Sequence, residues 1–454
     1  MPKIERISID SLRLNFHSPS QDFDAYYRAF LQTDLGMIYQ AIPWKRLIRV
    51  FKLKMHKRGR KGHFGPHGKL ALMFLKHYAC CSDRKLIEQL NANLHWQFFC
   101  GILIRPESPI RDFKLVSKIR GDLARRLHKS GHAVQKELAR YWKPHMSQTN
   151  VVLTDATCYE SAVRYPTDQK LLWECVEWAY YELWDGCKAL SIRKPRTKFL
   201  RWQLRYQVYS RKRKRRIKER RSLTRGLLRL LEKLLGELDR LCDEYQWQPS
   251  PKHLRRRITV DKVFSQQHPY FYHGRKPKGR VVSLGKPYLR PIIRGKEVKS
   301  VEFGAKVNKI QIDGINFIQR LDFNAFNEGT CLRNSVFLAR RLFGRVDVVG
   351  ADAIYATNKN RKYCTGQGIS TDFKRKGRAG RYENERILLA KNVRKERATR
   401  LEGSFGNEKN HYLLHRIGAR TKENEQLWIF MGIHTANALK IGRRMAEEGE
   451  KLAA

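Results

Sequence analysis

The chain has 454 residues, 41% of them hydrophobic and 30% charged, and its 93 Lys+Arg against 43 Asp+Glu give a formal net charge of +50. That length exceeds one ordinary core and allows two or three domains. So large a positive excess would repel itself in a compact state without an anionic counterpart, which makes nucleic acid the expected partner.

A membrane is not expected as a partner. There is no run of 18 or more apolar residues, and Met1-Pro2-Lys3-Ile4-Glu5 has no charged-then-apolar pattern. The nine cysteines are scattered, and the adjacent Cys80-Cys81 lacks the two-residue gap of a zinc or redox pair. They read as small apolar residues in a reducing cytoplasm. His77 and His434 lie among apolar neighbours and read as core histidines.

Residues 1 to about 65 mix short apolar and basic groups and contain Ile42-Pro43-Trp44, a turn into a helix. Lys54 through Lys61 reads as a solvated linker or as a phosphate-contacting loop. From Pro66, Leu70, Met73, Phe74 and His77 keep the i, i+3, i+4, i+7 rhythm of one buried helical face. Ser82-Asp83 is a cap before Leu86, Ile87 and Leu90, and Leu94, Trp96, Phe98 and Phe99 form a third apolar group. Such short helices suit a helix-turn-helix-like DNA-binding bundle, and equally a helical domain without groove contacts. Ile110 through His128 is an amphipathic helix whose Arg111, Lys114, Lys118, Arg120, Arg125 and Arg126 either track a phosphate backbone or are solvated.

Val151 through Ala156 is a short apolar strand carrying Asp155 at its end. Residues 159 to 189 are rich in aromatics at helical spacing, more often core than a base-stacking platform. The most basic segment, Arg211-Lys212-Arg213-Lys214-Arg215-Arg216, runs into Leu227, Leu230, Leu231, Leu234, Leu238 and Leu241. This is a helical hairpin arm with a basic end; two heptads are too few for an oligomerising coiled coil. Ile258 to Ser283 reads as loop-like and basic, with Gly274 through Arg280 a phosphate-contacting loop. Val301 through Val307, which includes Lys306, and Asn316 through Leu321 are strands joined through the Asp313-Gly314 turn. A helix over Val336 to Leu342 follows.

In Arg345 through Tyr355, apolar residues at 346, 348, 349 and 351 mark a buried strand that ends at Asp352. Asn358-Lys359-Asn360-Arg361 opens a helix, so Asp352 sits at a strand-to-helix crevice, where α/β folds bind ligands. It is either a cap or a working ligand. Glu402 lies in the helical run Leu401 through Gly406. Asp155, Asp352 and Glu402, on three elements, suffice to hold two Mg²⁺ ions for phosphodiester cleavage or transfer. If 394 to 410 is one helix, Lys395, Glu402 and Lys409 fall seven apart on one stripe. Gly403 and Gly406 then suggest close backbone approach.

Four motifs, VVLTDATCYESAVRYPTD, SLGKPYLRPIIRGKEVKSVEFGAK, VVGADAIYATNKNRKYC and LEGSFGNEKNHYLLHRIGAR, together resemble the DDE transposases of bacterial insertion sequences, from about Phe64 to Arg443. The resemblance implies an RNase H-like mixed sheet (α/β), a helical N-terminal domain over 1–145 that recognises terminal inverted repeats, and a catalytic domain over 146–445. It also implies that a long, basic, largely helical insertion at about 160–295 embraces DNA. Asp155, Asp352 and Glu402 match the catalytic and metal-binding triad, with Mg²⁺ as cofactor and Mn²⁺ as its substitute. Lys409 matches the lysine of the Y-R-E-K signature, whose Tyr and Arg positions are here Lys395 and Ala398; Arg397 or Arg400 stands in for that arginine. With Lys306, Arg211, Lys212 and Arg213 these are the expected DNA-binding residues. The expected partners are double-stranded repeat and target DNA, with a second copy of the chain in the synaptic complex, at a cytoplasmic, nucleoid-associated location. The competing expectations are a catalytically degenerate, transposase-derived DNA-binding protein and an RNase H-like nuclease without strand transfer.

Overall fold

Short polar residues placed just before apolar runs open the N-terminal helices of the computed structural model, which describes residues 4–6, 21–55, 62–293 and 301–453. After β1 (Ile4–Arg6) and α1 (Gln21–Leu31), Thr33 accepts a hydrogen bond from the Gly36 amide at the head of α2 (Asp34–Gln40). α3 (Trp44–Val50) follows Pro43, and α4 (Pro66–Ala79) begins on a proline that has no amide to leave unpaired. Ser82 and Asn93 cap α5 (Asp83–Ala92) and α6 (Leu94–Cys100) through the Lys85 and Trp96 amides. β2 (Ile102–Ile104) pairs antiparallel with β1. The last helix of the series, α7 (Lys114–Trp142), runs well past the His128 limit read from the sequence.

On α7 the basic face is partly neutralised: Arg120 is buried and lies 2.7 Å from Asp83, and Arg126 lies 3.2 Å from Asp122. Of the run Lys54 to Lys61, positions 56–61 lie outside the described residues.

β3 (Val151–Ser161) ends where the chain passes into the second of two units, Ala162–Gly304 with Phe323–Ala325; all other residues belong to the first unit. The second unit is a helical stack of α8 (Asp168–Ala189), α9 (Phe199–Arg211), α10 (Ile217–Tyr245) and α11 (Pro251–His273), followed by β4 (Pro291–Ile293). Its core is the leucine row of α10 against the aromatics of α8, including Leu227, Leu231, Leu234, Trp173 and Tyr180. Each fully buried leucine there contributes about 1.5–3 kcal/mol.

The expectation of a loop from Ile258 is corrected: that stretch is α11, started by the Ser250 cap and Pro251, with Val260, Val263 and Gln267 buried. Pro269 and the many basic residues hid the helical period. The chain becomes loop-like only from Gly274, in the left-handed region at φ 67°.

The central sheet of the first unit uses β5 (Val301–Ile312) and β6 (Ile315–Asp322), α12 (Leu332–Phe343), β7 (Val348–Ala351), α13 (Asn358–Gly366) and β8 (Ser370–Thr371). Asp313 (φ 47°) and Gly314 (φ 79°) make the β5–β6 hairpin turn that the dipeptide predicts. Along the sheet the order is β6-β5-β3-β7-β8, with β3–β7 and β7–β8 parallel and β5–β6 antiparallel. α14 (Glu383–Glu396), a π-turn at Arg397–Leu401 and α15 (Glu402–His411) form one continuous helical stretch. β9 (Arg416–Ile417), which pairs with the end of β3, and α16 (Lys422–Ala453) complete the chain.

α16 packs on α2, α4 and α7, so the N-terminal helices and the sheet share one unit. His77 and His434 are core histidines; burial draws the pKa of each down to about 3. All nine cysteines are unbridged. Among the described residues no helix is long and apolar enough to cross a membrane.

Candidate active site

Asp155 and Asp352 are brought side by side by strand register. β3 and β7 run parallel with Thr154 opposite Ala351, so the next residue on each strand is an aspartate. Neighbouring strands lie about 4.8 Å apart. The two carboxylates are held alike: the Ala156 amide donates to Asp155 Oδ1 and the Ala353 amide to Asp352 Oδ1, each at 2.7 Å. Asp352 thus acts as the cap of the short turn Ala353–Tyr355 while its other oxygen stays uncommitted.

Burial pushes the Asp155 carboxyl up to about 6, and the negative charges of Glu328 and Asp352 add to the rise against the pull of Arg397. Glu328 was not singled out from the sequence. It lies 2.7 Å from Lys306, whose ammonium also donates to the Phe326 carbonyl. Lys306 is therefore committed inside the protein.

The helical stretch over this sheet is anchored on the β3 face that carries Asp155. Leu153, Asp155, Thr157 and Tyr159 alternate onto that face. Leu401 and Val393 pack on Leu153. Gly350 permits the approach, since a Cβ there would meet the Val393 side chain at 2.4 Å. Beyond Asp155, Tyr159 donates through its hydroxyl to Glu408 of α15. Glu408 also takes the Lys309 ammonium at 2.6 Å and the Asn316 amide at 2.8 Å. Lys309 and Glu408 are both buried, and desolvation draws the Lys309 pKa down to about 8 in spite of the carboxylate beside it. An ion pair so deep fixes the register of α15 on the sheet, because breaking it would strand a charge. The polar residues Asn308, Lys309 and Gln311, buried on β5, are the sequence signal for this network; they lie beyond Val307, where the sequence pattern ends the strand.

Glu402 is the first residue of α15, exposed, and next to the anchor Leu401. The single stripe of Lys395, Glu402 and Lys409 is not formed as expected. The π-turn between the first two inserts an extra residue and rotates Lys395 by about 100° relative to Glu402. Lys395 is exposed on α14, whereas Lys409 sits with its ammonium 5.9 Å from the Tyr159 ring. Wide turns of this kind concentrate at functional sites.

The two candidate arginines separate. Arg397 lies 3.6 Å from Asp352, and its buried Nε has no hydrogen-bond partner. Arg400 instead pairs with Glu396 (3.0 Å) and Asp313 (3.5 Å). Among the described residues no group of three or more His, Cys, Asp and Glu side chains is close enough to hold a metal ion, so Glu402 stands apart from the aspartate pair in this conformation. In the second unit Arg211 ends α9, Lys212 is 2.6 Å from Glu219, and Arg213 is exposed.

Residues 26–122, from within α1 to the first turns of α7, match a family model described as Transposase domain (DUF772). The match covers less than half of the chain and supports a transposase in general. No curated protein and no solved structure gave a significant match.

Proposed function

We propose that the chain is a DDE transposase that binds the terminal inverted repeats of its element and catalyses Mg²⁺-dependent DNA cleavage and strand transfer. The observation that carries this reading is the in-register aspartate pair on neighbouring parallel strands, in a sheet ordered β6-β5-β3-β7-β8. That order, with the hairpin on one side of β3 and parallel strands on the other, supports an RNase H-like core. The transposase-domain match in the N-terminal helices independently supports the coarser part of this reading, a transposase.

The donor set fits a hard divalent cation. Asp155 and Asp352 each offer an uncommitted oxygen, and Mg²⁺ needs only one or two carboxylates because it keeps several waters. When bound, two Mg²⁺ or Mn²⁺ ions would neutralise the phosphate and activate the attacking water or 3′-hydroxyl.

The chain's own residues do the rest. Asp155 and Asp352 hold the metal side of the site, and Glu402, set apart from them in this conformation, completes it only if the head of α15 moves toward the pair. Arg397 brings a guanidinium to the edge of the pair, 3.6 Å from Asp352, and a phosphate oxygen is the anion such a fork suits. Lys409 reaches a second phosphate from the same helix. The Lys309–Glu408 pair anchors on the sheet the helix that carries Lys409.

Asp352→Asn tests the reading: end cleavage in Mg²⁺ should vanish while binding to the terminal repeats stays near wild type. Persistent cleavage would overturn it. A second reading, a degenerate transposase-derived DNA-binding protein, is favoured by the separation of Glu402 from the pair. Under it the wild-type chain binds the repeats and cuts nothing. A nuclease without strand transfer would instead yield cut but unjoined DNA on a supercoiled target.

A further inference from the structure

Positive charge in the second unit is compensated unevenly. Arg257 lies 2.9 Å from Asp239 and 2.7 Å from Asp261, Arg240 lies 2.8 Å from Glu244, and Arg280 pairs with Asp168. By contrast, Arg196, Lys198, Arg205, Arg225, Arg229 and Lys233 all line one cleft of ≈ 420 Å³ that no carboxylate lines. None of the six forms an ion pair among the described residues.

The cleft is built by packing. α9 and α10 meet where Trp202 covers Gly226, so closely that a Cβ would fall 1.7 Å from the ring. Arg205 stacks on that indole at 5.0 Å and donates to Ser222 Oγ at 2.7 Å, which fixes its guanidinium. Lys233 donates to the Arg196 carbonyl at 2.9 Å and ties the segment before α9 to α10. Lys198 enters α9 in the left-handed region at φ 55°. Arg225, Arg229 and Lys233, four residues apart, form one exposed stripe of about 12 Å along α10.

We propose that this cleft binds the phosphodiester backbone of duplex DNA. Phosphates of one strand advance about 3.4 Å per step along the duplex axis, so the α10 stripe, laid along that axis, covers the rise of three to four of them. Arginine forks match phosphate oxygens in pairs. The lining presents cations and little to read a base edge, so the cleft positions DNA without regard to sequence. The choice of DNA as the polyanion rests on the transposase reading; the cleft itself does not. It also moves phosphate binding away from Arg211, Lys212 and Arg213, of which Lys212 is already paired with Glu219.

The test uses the full chain in EDTA, titrated across a salt series onto a fluorescein-labelled duplex of scrambled sequence and read by anisotropy. Arg225→Gln with Arg229→Gln should weaken binding about tenfold or more and flatten the log K against log[salt] slope by about 1–2, at ~0.9 for each phosphate no longer neutralised. Arg196→Gln with Lys198→Gln, on the segment before α9, should flatten it similarly and guards against a folding defect in α10. Wild-type affinity and slope in both double variants would overturn the proposal, as would weakening confined to a single-stranded oligonucleotide. This binding assay reads no cleavage, so a separate end-cleavage assay of Asp352→Asn in Mg²⁺ distinguishes the two accounts. Cleavage that survives in that variant sinks the triad and leaves the cleft standing; unchanged binding by the cleft variants sinks the cleft and leaves the triad.

Discussion

Lys309 and Arg229 carry the same charge in opposite circumstances. Lys309 is wholly buried on β5, closed on by Glu408 and Tyr159, and its charge serves the geometry of the fold. Arg229 is exposed in a cleft with five other cations and no carboxylate, and its charge has nothing within the described protein to answer it. A net charge of +50 is therefore not one property. Part of it is structural and already paired; another part waits for an anion, and only burial and pairing tell the two apart.

The largest effect is expected in the helix that the buried pair anchors. Glu402→Gln is expected to reduce Mg²⁺-dependent end cleavage by about 10³-fold or more, the equivalent of some 4 kcal/mol of barrier. Repeat binding should stay unchanged in the same gel. Glu408→Ala strands the Lys309 ammonium and should destabilise the fold by about 3–5 kcal/mol in urea titrations, whereas Lys309→Met with Glu408→Leu should recover most of that loss. A double variant as unstable as the single one would mean that packing, not charge, holds α15.

Asp155 sharpens the comparison with the opposite sign. Its carboxyl rises from 3.8 to about 6 through burial and neighbouring negative charge, so between those pH values the folded chain binds more proton than the unfolded one. Stability attributable to it is lost as pH climbs through that window. In EDTA, Asp155→Asn should thus be more stable than wild type at pH 7 by about 1–3 kcal/mol, with the gain gone near pH 4. Equal melting temperatures at pH 7 would contradict the burial of this carboxylate. The smallest effect belongs to the unpaired region: Arg229→Gln alone should alter stability by less than about 0.5 kcal/mol in the same titrations.

Much of this was legible in the sequence, for identifiable reasons. Val151–Leu153 and Val348–Ala351 are apolar runs, and a local pattern is enough to find both strands; it ends the first too early, because Asp155 lies inside β3, which runs on to Ser161, whereas Asp352 does follow the last residue of β7. Asp313-Gly314 specifies its turn by the left-handed backbone it must adopt. What local pattern could not show was partnership. Pairing of Lys306 with Glu328 and of Lys309 with Glu408 depends on strands and turns distant in the chain. The π-turn at Arg397–Leu401 has no residue signature, so the expected stripe through Lys395 was out of phase. α11 was hidden behind its basic residues and Pro269, which lies in the last turns of the helix.

The most direct measurement of the central claim, that the aspartate pair holds the metal for DNA cleavage, is a metal switch on Asp352→Cys. A thiolate favours softer ions over Mg²⁺. End cleavage by this variant should be lost in Mg²⁺ and partly restored in Mn²⁺, while Asp352→Ala stays inactive in both. Wild-type cleavage by Asp352→Cys in Mg²⁺ would contradict the account.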